Sequence, residues 1–175
     1  LFGDCDGYRD NNPITFFNLL ISFINEYYKI KISLDDISYT INKSKVGSYH
    51  YSIPKYYAST IKLKEIHENF FYKYKDIFEY YDNEIQKIQK VIDTTIYTDK
   101  WFRYPNQTKE GKAKSEHIIE KGKIQDFIVE YIPTDSIFIE DYNPELIFIF
   151  NGSDLDYRRV SRNYNIPYFC VEKND

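Results

Sequence analysis

The chain has 175 residues, a formal net charge of −4 and a pI near 5.5, with 42% hydrophobic and 19% aromatic residues. That is ample apolar material for a buried core, so an intrinsically disordered chain is excluded. The acidic balance argues against a free module that binds nucleic acid by phosphate contacts alone, while leaving room for a local basic patch.

Residues 1–12 are polar and contain glycine, which predicts a loop. Asn12 as cap and Pro13 at the first helical position open a helix over residues 14–29, apolar at Phe16, Leu20, Phe23, Ile24 and Tyr27. Leu34 to Ile37 reads as a short helix or turn. Residues 48–53 read as a short strand, broken by Pro54. Between Lys64 and Asp93, apolar residues at Ile66, Phe70, Tyr74, Ile77, Tyr81, Ile85, Ile88 and Ile92 keep helical spacing. They predict a long amphipathic helix with an interruption near residues 78–83. Residues 94–97 are β-prone. Residues 101–122 predict a basic loop with a short helix near 115–120, and residues 127–132 and 136–140 predict short strands.

The sharpest pattern lies at the end. Leu146 to Phe150 is an apolar run between Pro144 and Asn151-Gly152. A helix capped by Ser153 or Asp154 follows, and Ile166-Pro167 leads into the apolar run Tyr168 to Val171. Two buried strands joined by a helix make a right-handed crossover and a parallel pair. The expected fold class is α/β with three layers, with residues 1–63 as a packed N-terminal segment and 64–175 as the main domain.

Few residues point to chemistry. Cys5 and Cys170 stand at opposite ends and form no metal-ligand pair. His50, His67 and His117 are scattered, with no metal-binding spacing, and read as surface or edge-of-core residues. Asn151-Gly152-Ser153 has one glycine where nucleotide-binding loops need several. Asp35-Asp36, Glu140-Asp141 and Asp154 with Asp156 read as solvated acids. No cofactor and no metal are expected. The absence of an apolar leader and of a run long enough to span a bilayer predicts a soluble, intracellular protein with no membrane partner. The one concentrated signal is basic and aromatic. Lys100, Trp101, Arg103, Tyr104, Lys109, Lys112 and Lys114 cluster against Glu110 alone, and Arg158, Arg159 and Arg162 lie on the later helix. Cations of this kind neutralise phosphates, and rings stack on unpaired bases.

The segment from Asn143-Pro144-Glu145 through Asn151, with Asn165-Ile166-Pro167 and the strand to Asn174, resembles the end of the small-subunit ribosomal protein S-two family. Tyr97-Thr98-Asp99-Lys100-Trp101-Phe102 resembles that family's Arg-Trp motif, although Arg103-Tyr104 stands where the family has paired glycines. The resemblance implies a Rossmann-like three-layer sandwich with a parallel sheet and a reduced helical insertion. It implies a non-enzymatic component of the small ribosomal subunit with no small-molecule substrate. Its partners would be ribosomal RNA, touched by Lys100, Trp101, Arg103, Lys109, Lys112, Lys114, Arg158 and Arg159, and neighbouring ribosomal proteins. The A/T-rich composition and the shortened insertion add a mitochondrial location, with the cytoplasm as alternative. The rival expectation is a nucleotide-binding Rossmann-like enzyme or sensor.

Overall fold

The first helix begins where its cap dictates. The Asn12 side chain accepts the Ile14 amide, Pro13 takes the first position, and α1 runs Pro13–Tyr27. A computed structural model describes residues 1–10, 12–28, 30–98, 104–107, 116–128 and 132–139. Its central sheet joins β1 (Phe2–Cys5), β2 (Ser38–Asn42), β3 (Tyr49–Ser52) and, numbered in chain order, β7 (His117–Lys121), in the spatial order β1-β3-β2-β7. Each neighbouring pair is antiparallel. β1, α1 and β2 form a crossover into whose middle β3 is inserted, because the tight 43–48 turn folds β3 back between them.

One face of this sheet is the core. Phe16 and Phe17 of α1 lie against Tyr39, Tyr49 and Tyr51 of β2 and β3, with ring centroids 4.8–6.2 Å apart. The second helix, α2 (Thr60–Lys73), is capped by Ser59 and packs Phe70 on Phe16 and Phe23 of α1. Both helices therefore cover the same side, and the described part is a two-layer arrangement.

The Rossmann-like parallel sandwich expected from the sequence is not this fold. The central sheet and a second hairpin are antiparallel, and parallel pairing among the described residues is confined to two residues each of β4 (Tyr56–Tyr57) and β8 (Ile137–Phe138). The physical reason is connection length. A turn of a few residues makes β2–β3 and the second hairpin antiparallel, whereas a parallel pair needs a long crossover; β1 and β7 then pair antiparallel to β3 and β2 through long connections. Three of the four sheet strands come from residues 1–63, and α2 crosses the expected boundary at residue 63. The strand–helix–strand pattern of residues 146–171 lies outside the described residues.

The long helical stripe also ends early. After α2 and one helical turn at Lys75–Phe78, the chain forms a hairpin of β5 (Glu79–Asp82) and β6 (Lys87–Lys90). The Asp82 side chain accepts the amides of Glu84 and Ile85, and Gln86 takes a positive φ of 52°. This turn chemistry outweighs the apolar spacing, and Tyr81, Ile85 and Ile88 are left 53–65% exposed. The β-prone residues Thr94–Tyr97 form a 3-10 turn, and the helix expected near 115–120 is instead strand β7.

Candidate functional site

The second face of the sheet is polar. Alternation along β1 sends Gly3 and Cys5 into the core and leaves Asp4 half-buried on the opposite side. Directly opposite residues on antiparallel strands share a face, so the pairing fixes a row across the sheet. Asp4 stands opposite His50, and His50 opposite Thr40. At the free edge of β1 the chain adds one more bridge, Cys5 to Ile92, with the Asp93 amide donating to the Asp4 carbonyl and the Asp6 amide to that of Val91. Asp93 is thereby set opposite Asp4, and the row reads Asp93, Asp4, His50, Thr40.

The geometry within the row is close. His50 Nε2 lies 3.8 Å from Asp4 Oδ1. The rings of His50 and His117 stack at 3.7 Å with 15° between planes. Thr40 Oγ1 and Ser48 Oγ stand 3.1 and 3.5 Å from the two nitrogens of His117. Of the two expectations, surface or edge-of-core, the surface one does not hold: His50, His67 and His117 are 4%, 0% and 3% exposed.

Asp6 lies two residues beyond Asp4, with its carboxylate 2.5 Å from Lys45 Nζ in the β2–β3 turn. Its backbone is held firmly. Gln89 of β6 donates to the Asp6 carbonyl, and the Tyr80 hydroxyl of β5 donates to the Gly7 carbonyl. The turn below cannot accept a side chain at Gly47. Its φ is +67°, and an added Cβ would stand 1.8 Å from the Tyr8 carbonyl oxygen. Asp93 accepts from the amide and hydroxyl of Thr95, capping the 3-10 turn. No three His, Cys, Asp or Glu side chains among the described residues are arranged to hold a metal ion by themselves.

His67 serves the other face. Its Nδ1 is 2.7 Å from the Leu63 carbonyl, which can only accept, so Nδ1 carries the proton and Nε2 accepts from the Tyr51 hydroxyl at 2.6 Å. Burial pushes its pKa down from 6.5 to about 4. Tyr97 donates to the Phe2 carbonyl and also lies 2.9 Å from His67 Nδ1. Burial raises the hydroxyl pKa of both Tyr51 and Tyr97 well above the usual value. This is a neutral structural network.

Lys100, Trp101, Arg103, Lys109, Lys112, Lys114, Arg158 and Arg159 all lie outside the described residues, as do Glu140-Asp141 and Asp154 with Asp156. Asp36 is structural, accepting from the Ser33 amide and hydroxyl. The two anchors of the basic segment are described. It leaves the Thr94–Tyr97 turn beside β1 and enters β7, and between them the Asn106 amide donates to the His117 carbonyl. The sequence reading missed Asp4, Asp6 and Asp93 because a short strand beginning Leu-Phe-Gly-Asp looks like a loop. The usable signal is the alternation of Leu1, Gly3 and Cys5 with Phe2, Asp4 and Asp6, ending in Asp-x-Asp. No protein-family model matches the chain, and no curated protein matches it.

Proposed function

We propose that the polar face of the sheet is the active site of a nucleotidyl transferase that uses Mg²⁺ or Mn²⁺ and acts on a nucleic-acid strand. The observation that carries this reading is the row Asp93, Asp4, His50, Thr40, fixed by strand register on the face turned away from the helices, where Thr40 and His50 are buried and Asp4 is half-buried. Packing alone does not call for such a face. The acids and imidazoles are paired with one another across the strands, and the core is complete on the other side. Mg²⁺ needs near-octahedral oxygen ligands and usually takes only one or two from carboxylates, the rest from water and substrate phosphates.

In the reaction, Asp4, with Asp6 once released from Lys45, would hold the metal, which would supply the charge that places the triphosphate. A strand hydroxyl, losing its proton to solvent, attacks the α-phosphorus. The new P–O bond forms as the bond to the β-phosphate oxygen breaks, and pyrophosphate leaves with the electron pair. His50, oriented by Asp4 and the stacked His117, would offer an N–H donor to a phosphate oxygen. The basic, aromatic segment that holds Lys100, Trp101, Arg103, Lys109, Lys112 and Lys114 supplies cations and a stacking ring for the strand. The ribosomal resemblance implied a parallel sheet; with an antiparallel one, the sheet face is the better guide to function.

The test incubates the whole chain with nucleoside triphosphates, a primed and an unprimed single-stranded oligonucleotide, and Mg²⁺ or Mn²⁺. Metal-dependent pyrophosphate release is expected, falling by about 10²–10³-fold in Asp4→Asn and by about 10–100-fold in His50→Ala. No release under any of these conditions, or full activity in Asp4→Asn, contradicts the proposal.

A further inference from the structure

The loop that follows β1 is braced by the β5–β6 hairpin and by the β2–β3 turn. Gly7 turns the loop at φ +84°, and an added Cβ there would stand 3.2 Å from the Tyr80 hydroxyl, so the hairpin lies directly against it. Tyr80 donates to the Gly7 carbonyl and Gln89 to that of Asp6, while the Tyr8 amide donates to the Gly47 carbonyl of the turn. On this frame sits Arg9, exposed, with its guanidinium carbon 3.8 Å from the centre of the Tyr80 ring.

Arg9 has a platform and no acceptor. The acids nearest to it in the chain are engaged elsewhere, Asp6 with Lys45, and Asp10 with the Asn12 amide and the Thr15 hydroxyl. Among the described residues, none forms a hydrogen bond or ion pair with Arg9. Stacking on Tyr80 covers one face of the guanidinium and leaves its N–H edges for an acceptor in the same plane. A fork held in this way fits two oxygens of one phosphate or carboxylate. Lys87 adds a second exposed cation. It lies two residues along β6 from Gln89, the residue opposite Tyr80, so it shares the face of Tyr80 at about 7 Å along the strand. Asp82, opposite Lys87, accepts the turn amides of Glu84 and Ile85. Arg9 and Lys87 thus follow one another outward from Asp6.

We infer that Arg9 grips a backbone phosphate of a single nucleic-acid strand, with Lys87 taking a neighbouring one. The inference rests on the strand-acting part of the reading above and needs no metal. It gives the loop and the hairpin the task of holding the strand beside the polar row. A strand repeats its anion along its length, which matches cations set in line.

The test measures binding of a labelled single-stranded oligonucleotide and of a labelled nucleoside triphosphate to the whole chain, by fluorescence anisotropy over a range of salt without divalent metal. Arg9→Ala weakens oligonucleotide binding about three- to tenfold and lowers the slope of log affinity against log salt by about 0.7, the share of one phosphate contact. Arg9→Lys restores the slope but not the full affinity, since an ammonium carries the charge without the fork. Lys64→Ala removes a cation from α2, in the helix layer, and leaves both values as in the native chain. Unchanged oligonucleotide affinity and slope in Arg9→Ala, with melting temperature showing it to be folded, overturns the inference. So does an equal loss in Lys64→Ala, which would be the effect of net charge alone. Loss of triphosphate binding with oligonucleotide binding intact overturns it as well, by giving Arg9 to the triphosphate. In those cases the transferase reading can still stand. Failure of the native chain to bind the oligonucleotide at any salt removes that reading, and the inference with it.

Discussion

At the scale of single residues, the three histidines divide the labour. His50 and His117 face the polar side, while His67 is locked neutral beneath the sheet between Leu63, Tyr51 and Tyr97. The folded pKa of His67 is about 4, below its ordinary 6.5. Between those values the unfolded chain binds the extra proton, so stability rises with pH there. The contribution is fully present above pH 6.5 and is lost as pH falls toward 4, an effect on the order of 3 kcal/mol. Urea unfolding at pH 7.5 and pH 5 should show this loss in the native chain. His67→Gln should be less stable at pH 7.5 but lose much less between the two. An equal loss in both proteins would place the pH dependence elsewhere. Nothing in the sequence around His50 or His117 announces their stacking. It arises because Thr40 pairs with His50 and Asn42 with His117 across separate strand junctions, a product of register and not of local spacing.

At the scale of elements, legibility follows how local the deciding physics is. α1 was readable in full because the Asn12 cap, the Pro13 start and the apolar period all lie within the segment. β3 and the 3-10 turn Leu34–Asp36 were readable for the same reason. The β5–β6 hairpin was not, since the steps from Tyr74 through Ile92 mimic a helix, and the Asp82 turn decides the outcome. β1 was not readable either. It has four residues, and its acids make sense only once one face of the sheet is known to be polar. The aromatic packing between elements gives a direct test of the core. Phe16 is fully buried and touches Phe17, Tyr49, Tyr51, Phe70 and Phe78. Phe16→Ala should cost about 3–5 kcal/mol in equilibrium unfolding. A loss under 1 kcal/mol would mean that α1 does not seat on the sheet as described.

At the scale of the whole molecule, the sequence pointed to the wrong sheet because its strongest strand signals fall after residue 140, beyond the described part. The sheet that holds the row is built mainly from residues 1–63, where short strands, acids and turns blur the pattern. The two-layer fold explains why chemistry collects where it does. Helices α1 and α2 seal one face with Phe and Tyr, and the other face is left to Asp4, Asp93, His50, Thr40 and His117. The most direct test of that face as a metal-dependent active site is a crystal of the whole chain grown with Mn²⁺ and a non-hydrolysable nucleoside triphosphate, read by anomalous scattering. A manganese peak bonded to a carboxylate oxygen of Asp4 or Asp6 and to phosphate oxygens is expected, with His50 within hydrogen-bond reach of the triphosphate. A nucleotide bound with its phosphates away from Asp4, Asp6 and His50, or manganese seated elsewhere, would contradict it.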